Sequence, residues 1–255
     1  MPAYIDPPNA TGIAAQTVAR RAAPQDLIFH AGWFCPFAGR VWVALEEKGI
    51  PYQYKEQNPY DKDPEFLKLN PKGLIPALQH DGRGLYESNI LLEYLEDAFP
   101  SAPALRPRDP HEAALARLAL QFISTTVVPA FFRLMQAQGQ EKQDEAKESF
   151  VQVLKELYNQ WFDKQTGAQW ARNDTFGWIE AALAPFLARF PLLAAHRAFS
   201  IEMVGPDFSS WAERVLDRPS VRAVLSAPEA YHTIYGRYFN DTAKSQVAQA
   251  TRSAA

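Results

Sequence analysis

LIFHAGWFCPFAGRVWVALEEKG, residues 27–49, is the stretch that decides how this chain folds. Leu27-Ile28-Phe29-His30 is a short apolar run of strand length. It feeds directly into Cys35, and from Pro36 to Lys48 the pattern turns helical. Phe37, Val41, Ala44 and Leu45 recur at three- and four-residue steps, and Gly49 ends the helix. A strand running into a helix through Cys35-Pro36 places the cysteine at a helix N-terminus. Unpaired N–H groups and the macrodipole there favour a negative sulfur, and Pro36 suits the first helical turn. The competing reading is a small buried hydrophobe, since free cysteine is among the most buried residue types.

The unit continues outward from this stretch. Tyr52 to Lys55 is a second strand, and Pro64 to Leu69 a brief helix before Asn70-Pro71. Gly73 to His80, then Asp81-Gly82-Arg83-Gly84, reads as strand, turn, strand. A helix from Ile90 to Ala98 follows, with Ser88 or Asn89 as N-cap. The order is strand, helix, strand, helix, strand, strand, helix, which makes residues 26–99 an α/β domain. Pro100, Pro103, Pro107 and Pro110 then define a linker over 100–110. Residues 111–240 are helical in period. They hold a long helix from His111 to about Gln138, bent at Pro129, and another from Ser149 to about Gln165. The latter presents Phe150, Val153, Leu154, Leu157 and Trp161 on one face. Shorter helices cover Gly177 to Arg189 and Asp207 to Asp217. Residues 1–25 are expected to be a flexible extension, and 241–255 a tail that frays.

Bulk properties bound the function. With 47% hydrophobic residues the chain can build a packed core. A net charge of −3 gives no reason to expect nucleic acid, which needs clustered Lys and Arg. No apolar run approaches the roughly 18–20 residues of a membrane helix. No metal site is expected. One cysteine excludes an internal disulfide and fits a reducing, cytoplasmic setting. The first 25 residues lack a secretory h-region. Arg20 and Arg21 in an Ala-rich, acid-poor setting give them a weak likeness to a mitochondrial transit peptide.

Disulfide oxidoreductases use Cys-x-x-Cys, but three residues after Cys35 stands Ala38. A reactive Cys35 therefore needs its second thiol from outside, and in a cytosol that thiol is most plausibly glutathione. Here the chain resembles the omega class of the glutathione transferase family. The residues responsible are Cys35-Pro36-Phe37-Ala38, Asn70-Pro71-Lys72-Gly73-Leu74-Ile75-Pro76, and Tyr86-Glu87-Ser88 with Leu92-Glu93-Tyr94-Leu95. Gly177-Trp178-Ile179-Glu180, and Trp211 with Asp217-Arg218-Pro219-Ser220-Val221, match more loosely.

The resemblance implies a thioredoxin-like N-terminal domain followed by an all-α C-terminal domain, with Cys35 catalytic and the Ile75-Pro76 bond cis. Ile75 and Pro76 would meet the cysteinyl part of glutathione, Glu87 and Ser88 its γ-glutamyl end, and Lys62 and Phe37 would complete the site. Glu87-Ser88 also suits simple helix capping, Phe37 a core position, and a surface lysine such as Lys62 is usually only solvated. Trp211 would border the acceptor pocket, core packing being the alternative. Two positions depart from the family pattern. Gly39 replaces a charged residue, leaving the helix start flexible, and Gly177 stands at a capping position usually held by Ser or Thr, where Thr175 could act instead.

The implied activity is a glutathione-dependent thiol transferase or reductase, forming a Cys35–glutathione mixed disulfide and reducing dehydroascorbate-type or glutathionylated acceptors. Glutathione is the cosubstrate, the acceptor is small and hydrophobic or glutathionylated, and a homodimer is expected from the family. One rival is a reductase of glutathionylated quinones or ketones, whose Trp and basic residue after Cys-Pro are not matched by Phe37 and Gly39. The others are a non-catalytic binder of hydrophobic molecules and a chloride-intracellular-channel-like protein. His30 and Arg40 interrupt any apolar stretch that such a channel would insert.

Overall fold

The computed structural model describes residues 8–58, 60–162 and 176–253. Thr175 and residues 163–165, at the end of one predicted helix, lie outside the described residues. The first domain runs β1 (Leu27–Ala31), α2 (Pro36–Lys48), β2 (Gln53–Glu56), α3 (Pro64–Leu69), β3 (Ala77–His80), β4 (Arg83–Tyr86) and α4 (Ser88–Ala98). This is the order predicted from sequence. The sheet order is β2-β1-β3-β4, with β1 and β2 parallel and the other pairs antiparallel. Asp81 and Gly82 both take positive φ, 51° and 76°, the conformation a two-residue hairpin turn of matching twist requires. Helix α2 begins with Cys35 as N-cap and Pro36 inside the first turn, and it ends at Gly49, left-handed at φ 63°.

The second domain is helical: α5 (Pro110–Phe122), α6 (Val128–Gln136), α7 (Gln140–Leu157), α8 (Trp178–Leu187), α9 (Phe190–Arg197), α10 (Pro206–Asp217), α11 (Pro219–Arg222) and α12 (Pro228–Phe239). The bend expected at Pro129 is a π-helical turn over Ile123–Val127. Pro129 lacks the N–H that would close an ordinary turn onto Thr125, and the ladder admits an extra residue just before it. Helix α7 starts nine residues before the predicted Ser149. Its early turns are polar and are stabilised by local bonds, Gln140 to Asp144 and Lys147 to Asp144, that leave no apolar period to read. The segments 110–136 and 178–197 are long and apolar enough to cross a membrane, yet most of each apolar window is buried inside the fold, as in core helices.

Both expected flexible ends contain docked helix. Helix α1 (Gly12–Arg20) buries Ala14 and Thr17. The Thr17 hydroxyl donates to the Ala223 carbonyl at 2.7 Å and the Ala14 N–H to that of Leu225 at 3.1 Å. At the other end α13 (Gln246–Ser253) lies on α6. Ala248 is fully buried, Gln136 donates to its carbonyl, and Arg252 pairs with Asp241 at 2.9 Å. Small residues let each helix approach closely, and composition alone cannot distinguish that from disorder.

The two domains meet chiefly where α2 packs on α8. A β-carbon on Gly39 would lie 2.8 Å from Pro185 Cγ, so glycine is there for close approach rather than for a loose helix start. Glu47 of α2 accepts from Arg218 and Ser220.

Candidate active site

Cys35 sits at the mouth of α2, facing a cavity of about 630 Å³ between the two domains. Its sulfur lies 3.8 Å from the Ile75 carbonyl oxygen, and the Ile75-Pro76 bond is cis, placing that backbone opposite the cysteine. No ordinary capping hydrogen bond closes onto the sulfur. Burial pushes the Cys35 thiol up. The backbone N–H groups of Ala38 and Phe37, at the positive end of α2, and the guanidinium groups of Arg189 and Arg40 offset this only in part, leaving the thiol above its ordinary value.

Phe37, Lys62, Ile75, Pro76, Glu87 and Ser88 all stand on the wall of this cavity with Cys35. Ser88 is not an N-cap. It is the first residue of α4, while Glu87 takes the cap position at φ 76°, a left-handed conformation rare outside glycine. The Glu87 carboxylate accepts from Lys72 at 2.8 Å, a pairing sequence reasoning did not anticipate. Lys62 donates to the Lys72 carbonyl at 3.2 Å. A β-carbon on Gly73 would fall 2.6 Å from Lys62 Cδ, so the glycine in Asn-Pro-Lys-Gly leaves room for that side chain. Phe37 serves two surfaces, lining the cavity while stacking on Phe132 and meeting Phe186 edge to face.

Trp211 is elsewhere. It is absent from the cavity wall, packs on Phe162 and Phe208, and points its indole N–H at buried Glu180. The wall opposite the first domain comes instead from Phe132, Ile234, Tyr235, Tyr238 and Val247, with Arg237 and Lys244 among its charged members. Tyr235 and Tyr238 share one face of α12, a spacing visible in PEAYHTIYGRYF. The part played by α13 left no signal, because Ala- and Gln-rich sequence reads equally as coil. Among the described residues, no three His, Cys, Asp or Glu side chains gather to hold a metal.

Residues 34–98 match the family model of the glutathione S-transferase N-terminal domain. Glutathione S-transferase U25 of Arabidopsis thaliana is 33% identical over 198 residues, 77% of this chain and 87% of that one. The chain belongs to the glutathione S-transferase family. Two solved glutathione transferases show how far the likeness extends. One from Trametes versicolor, described as Omega 3C, superposes with a TM-score of 0.83 at 44% identity, covering 93% of this chain and all of that one. One from rice, solved in complex with glutathione, gives 0.77 at 29% identity, covering 87% of this chain and all of its own. The Arabidopsis relative is a Tau-class plant enzyme and the Trametes protein is described as Omega, so the likenesses span two classes of one family.

Proposed function

We propose that this glutathione transferase is a cysteine-type, omega-like thiol transferase and reductase rather than a conjugating enzyme. The observation that carries the reading is Cys35 itself. It is the only sulfur nucleophile of cysteine type in the chain, at the N-terminus of α2, open to the interdomain cavity and opposite the Ile75 carbonyl. The 44% identity to a protein described as Omega supports the same side. The cavity residues suit glutathione. Ile75 offers backbone opposite the sulfur, Ser88 begins a helix where a carboxylate is favoured, and Lys62 brings positive charge. Glutathione in the rice enzyme supports this choice of cosubstrate.

The Cys35 thiolate attacks the glutathionyl sulfur of an acceptor–glutathione disulfide. The S–S bond breaks, the acceptor sulfur leaves with the bonding pair and takes up a proton, and Cys35 is left disulfide-bonded to glutathione. A second glutathione thiolate attacks that disulfide, releasing the Cys35 thiolate and oxidised glutathione. A transferase built on Ser or Tyr instead donates a hydrogen bond to the glutathione thiol, a task for which cysteine is a poor donor. The aromatic wall of Phe132, Tyr235 and Tyr238 fits a small hydrophobic acceptor.

Cys35→Ser tests the reading. The parent should gain one glutathione by intact-mass measurement after incubation with oxidised glutathione, and the variant none. Thiol transfer should be lost in the variant; an unchanged rate would sink the mechanism.

A further inference from the structure

Arg40 and Arg189 are buried as deeply as any core residue, 1% and 2% exposed. A buried guanidinium is ordinarily set against a carboxylate, because an unpaired charge removed from water costs several kcal/mol. Neither has such a partner among the described residues. On Arg40, Nε donates to the Ala182 carbonyl at 3.1 Å. Its Nη1 lies 3.3 Å from Asn89 Oδ1, 3.4 Å from Ser88 Oγ and 3.5 Å from Ser124 Oγ. Its Nη2 has no partner, and the group rests against the rings of Phe37 and Phe186.

Arg189, just after α8, donates from Nη2 to the Phe34 carbonyl at 3.0 Å, from Nε to the Tyr235 hydroxyl at 2.8 Å, and from Nη1 to the Pro185 carbonyl. Tyr235 donates to the same Phe34 carbonyl at 2.9 Å. Every one of these partners is neutral. Each arginine instead acts on Cys35: both are among the charges that favour its ionised form. The other titratable groups facing the sulfur are Tyr54 of β2 and Tyr235 and Tyr238 of α12, phenols that burial keeps neutral.

We propose that Arg40 and Arg189 together are the counter-ions of the Cys35 sulfur, one from each domain. Arg189 also positions the Phe34–Cys35 peptide through its carbonyl. The assignment rests on the cysteine chemistry above. It explains why two buried cations carry no acid: the sulfur, once ionised, is the anion they serve, and Arg189 reaches its neighbourhood only when the domains are docked. Arg189 then couples the reactivity of a first-domain sulfur to the seating of the helical domain.

The test follows alkylation of the single thiol by iodoacetamide against pH, in the parent, Arg189→Met, Arg189→Lys and Arg40→Met, each checked for folding by circular dichroism. The midpoint of the parent curve, raised by burial and drawn down by both guanidinium groups, is the reference. Either Met variant should move that midpoint up by about one pH unit or more, and Arg189→Lys should restore most of it. A folded Met variant with an unmoved midpoint overturns the assignment. Should the Met variants not fold, Arg189→Gln and Arg40→Gln, which keep amide donors without the charge, decide, and a midpoint in both equal to the parent's overturns the assignment. Alkylation needs no glutathione, so the counter-ion assignment and the glutathione reading fail separately. A protein that takes up no glutathione, but whose midpoint shifts as expected, loses only the latter.

Discussion

Gly39 shows how a single position serves the whole site. A β-carbon there meets Pro185 Cγ at 2.8 Å and Cβ at 2.9 Å, closer than side chains approach. Alanine is the better helix former by about 1 kcal/mol, but the clash is with a proline ring in a packed helix and cannot be relieved by rotating a side chain. Overpacking of this kind costs about 1–3 kcal/mol, so the clash wins. Gly39→Ala should lower stability by about that amount minus the propensity gain, read as a lower urea midpoint. An unchanged or raised midpoint would show that α2 has slack against α8. From sequence the same glycine suggested looseness, because what approaches it lies about 145 residues away along the chain.

At the scale of elements, α8 is started by a capping box with glycine in the cap position. The Gly177 N–H donates to Glu180 Oε2 at 2.9 Å, and Glu180 is buried against Trp211. Burial pushes the Glu180 carboxyl up to about 7. An unfolded glutamate titrates near 4.3, so between these values the folded protein holds a proton that the unfolded chain has lost. The stability this contributes is complete below about pH 4 and is lost as pH rises through about 7, a difference of roughly 3 kcal/mol. Glu56, which burial also pushes up to about 7 while it accepts from Trp33 and Tyr54, acts in the same direction. Glu180→Gln keeps an acceptor oxygen for Gly177 and has no charge to bury. It should flatten part of the fall in stability between pH 5 and 8 and exceed the parent at pH 8, by urea unfolding at both. A pH dependence identical to the parent's would show that Glu180 stays ionised in the fold.

The whole molecule raises two further expectations. Helix α13 closes one side of the cavity, held by Gln136, Tyr238 and Asp241. Truncation after Ala243 should weaken binding of a hydrophobic fluorescent probe at least several-fold and leave the Cys35–glutathione adduct forming, as seen by mass. Loss of both readouts would mean that α13 supports the fold rather than the acceptor side. On the outer face, Ile90 of α4 and Leu118 of α5 are 55% and 57% exposed, and the Arg117–Glu93 ion pair ties their helices together. The homodimer expected of the family would cover such a face. Ile90→Asp with Leu118→Asp should then yield monomers by light scattering, while a parent that is itself monomeric removes the expectation.

The strand–Cys-Pro–helix order and the hairpin at Asp81-Gly82 were legible because each is written in local chemistry, an apolar run and a turn-forming pair, whereas the cis Ile75-Pro76 bond was implied only by the family resemblance. The cavity face of the first domain came from the family resemblance rather than from those signals, and Phe37, Lys62, Ile75, Pro76, Glu87 and Ser88 do gather around one cavity with Cys35. The early polar turns of α7 were not legible, since local side-chain bonds rather than an apolar period hold them, nor were the docked helices at either end, which depend on bonds to distant residues. The same holds for the site's second half. Nothing local marks Arg189 as the residue that meets the Phe34 carbonyl, or Trp211 as a core ring rather than a pocket wall. Sequence by itself determined the α/β-then-helical architecture and the single cysteine at a helix start, because those depend on residue type and near neighbours. Only the tertiary structure decided which charges face that cysteine and what closes its cavity, because burial and Coulomb interaction act through space between residues far apart in the chain.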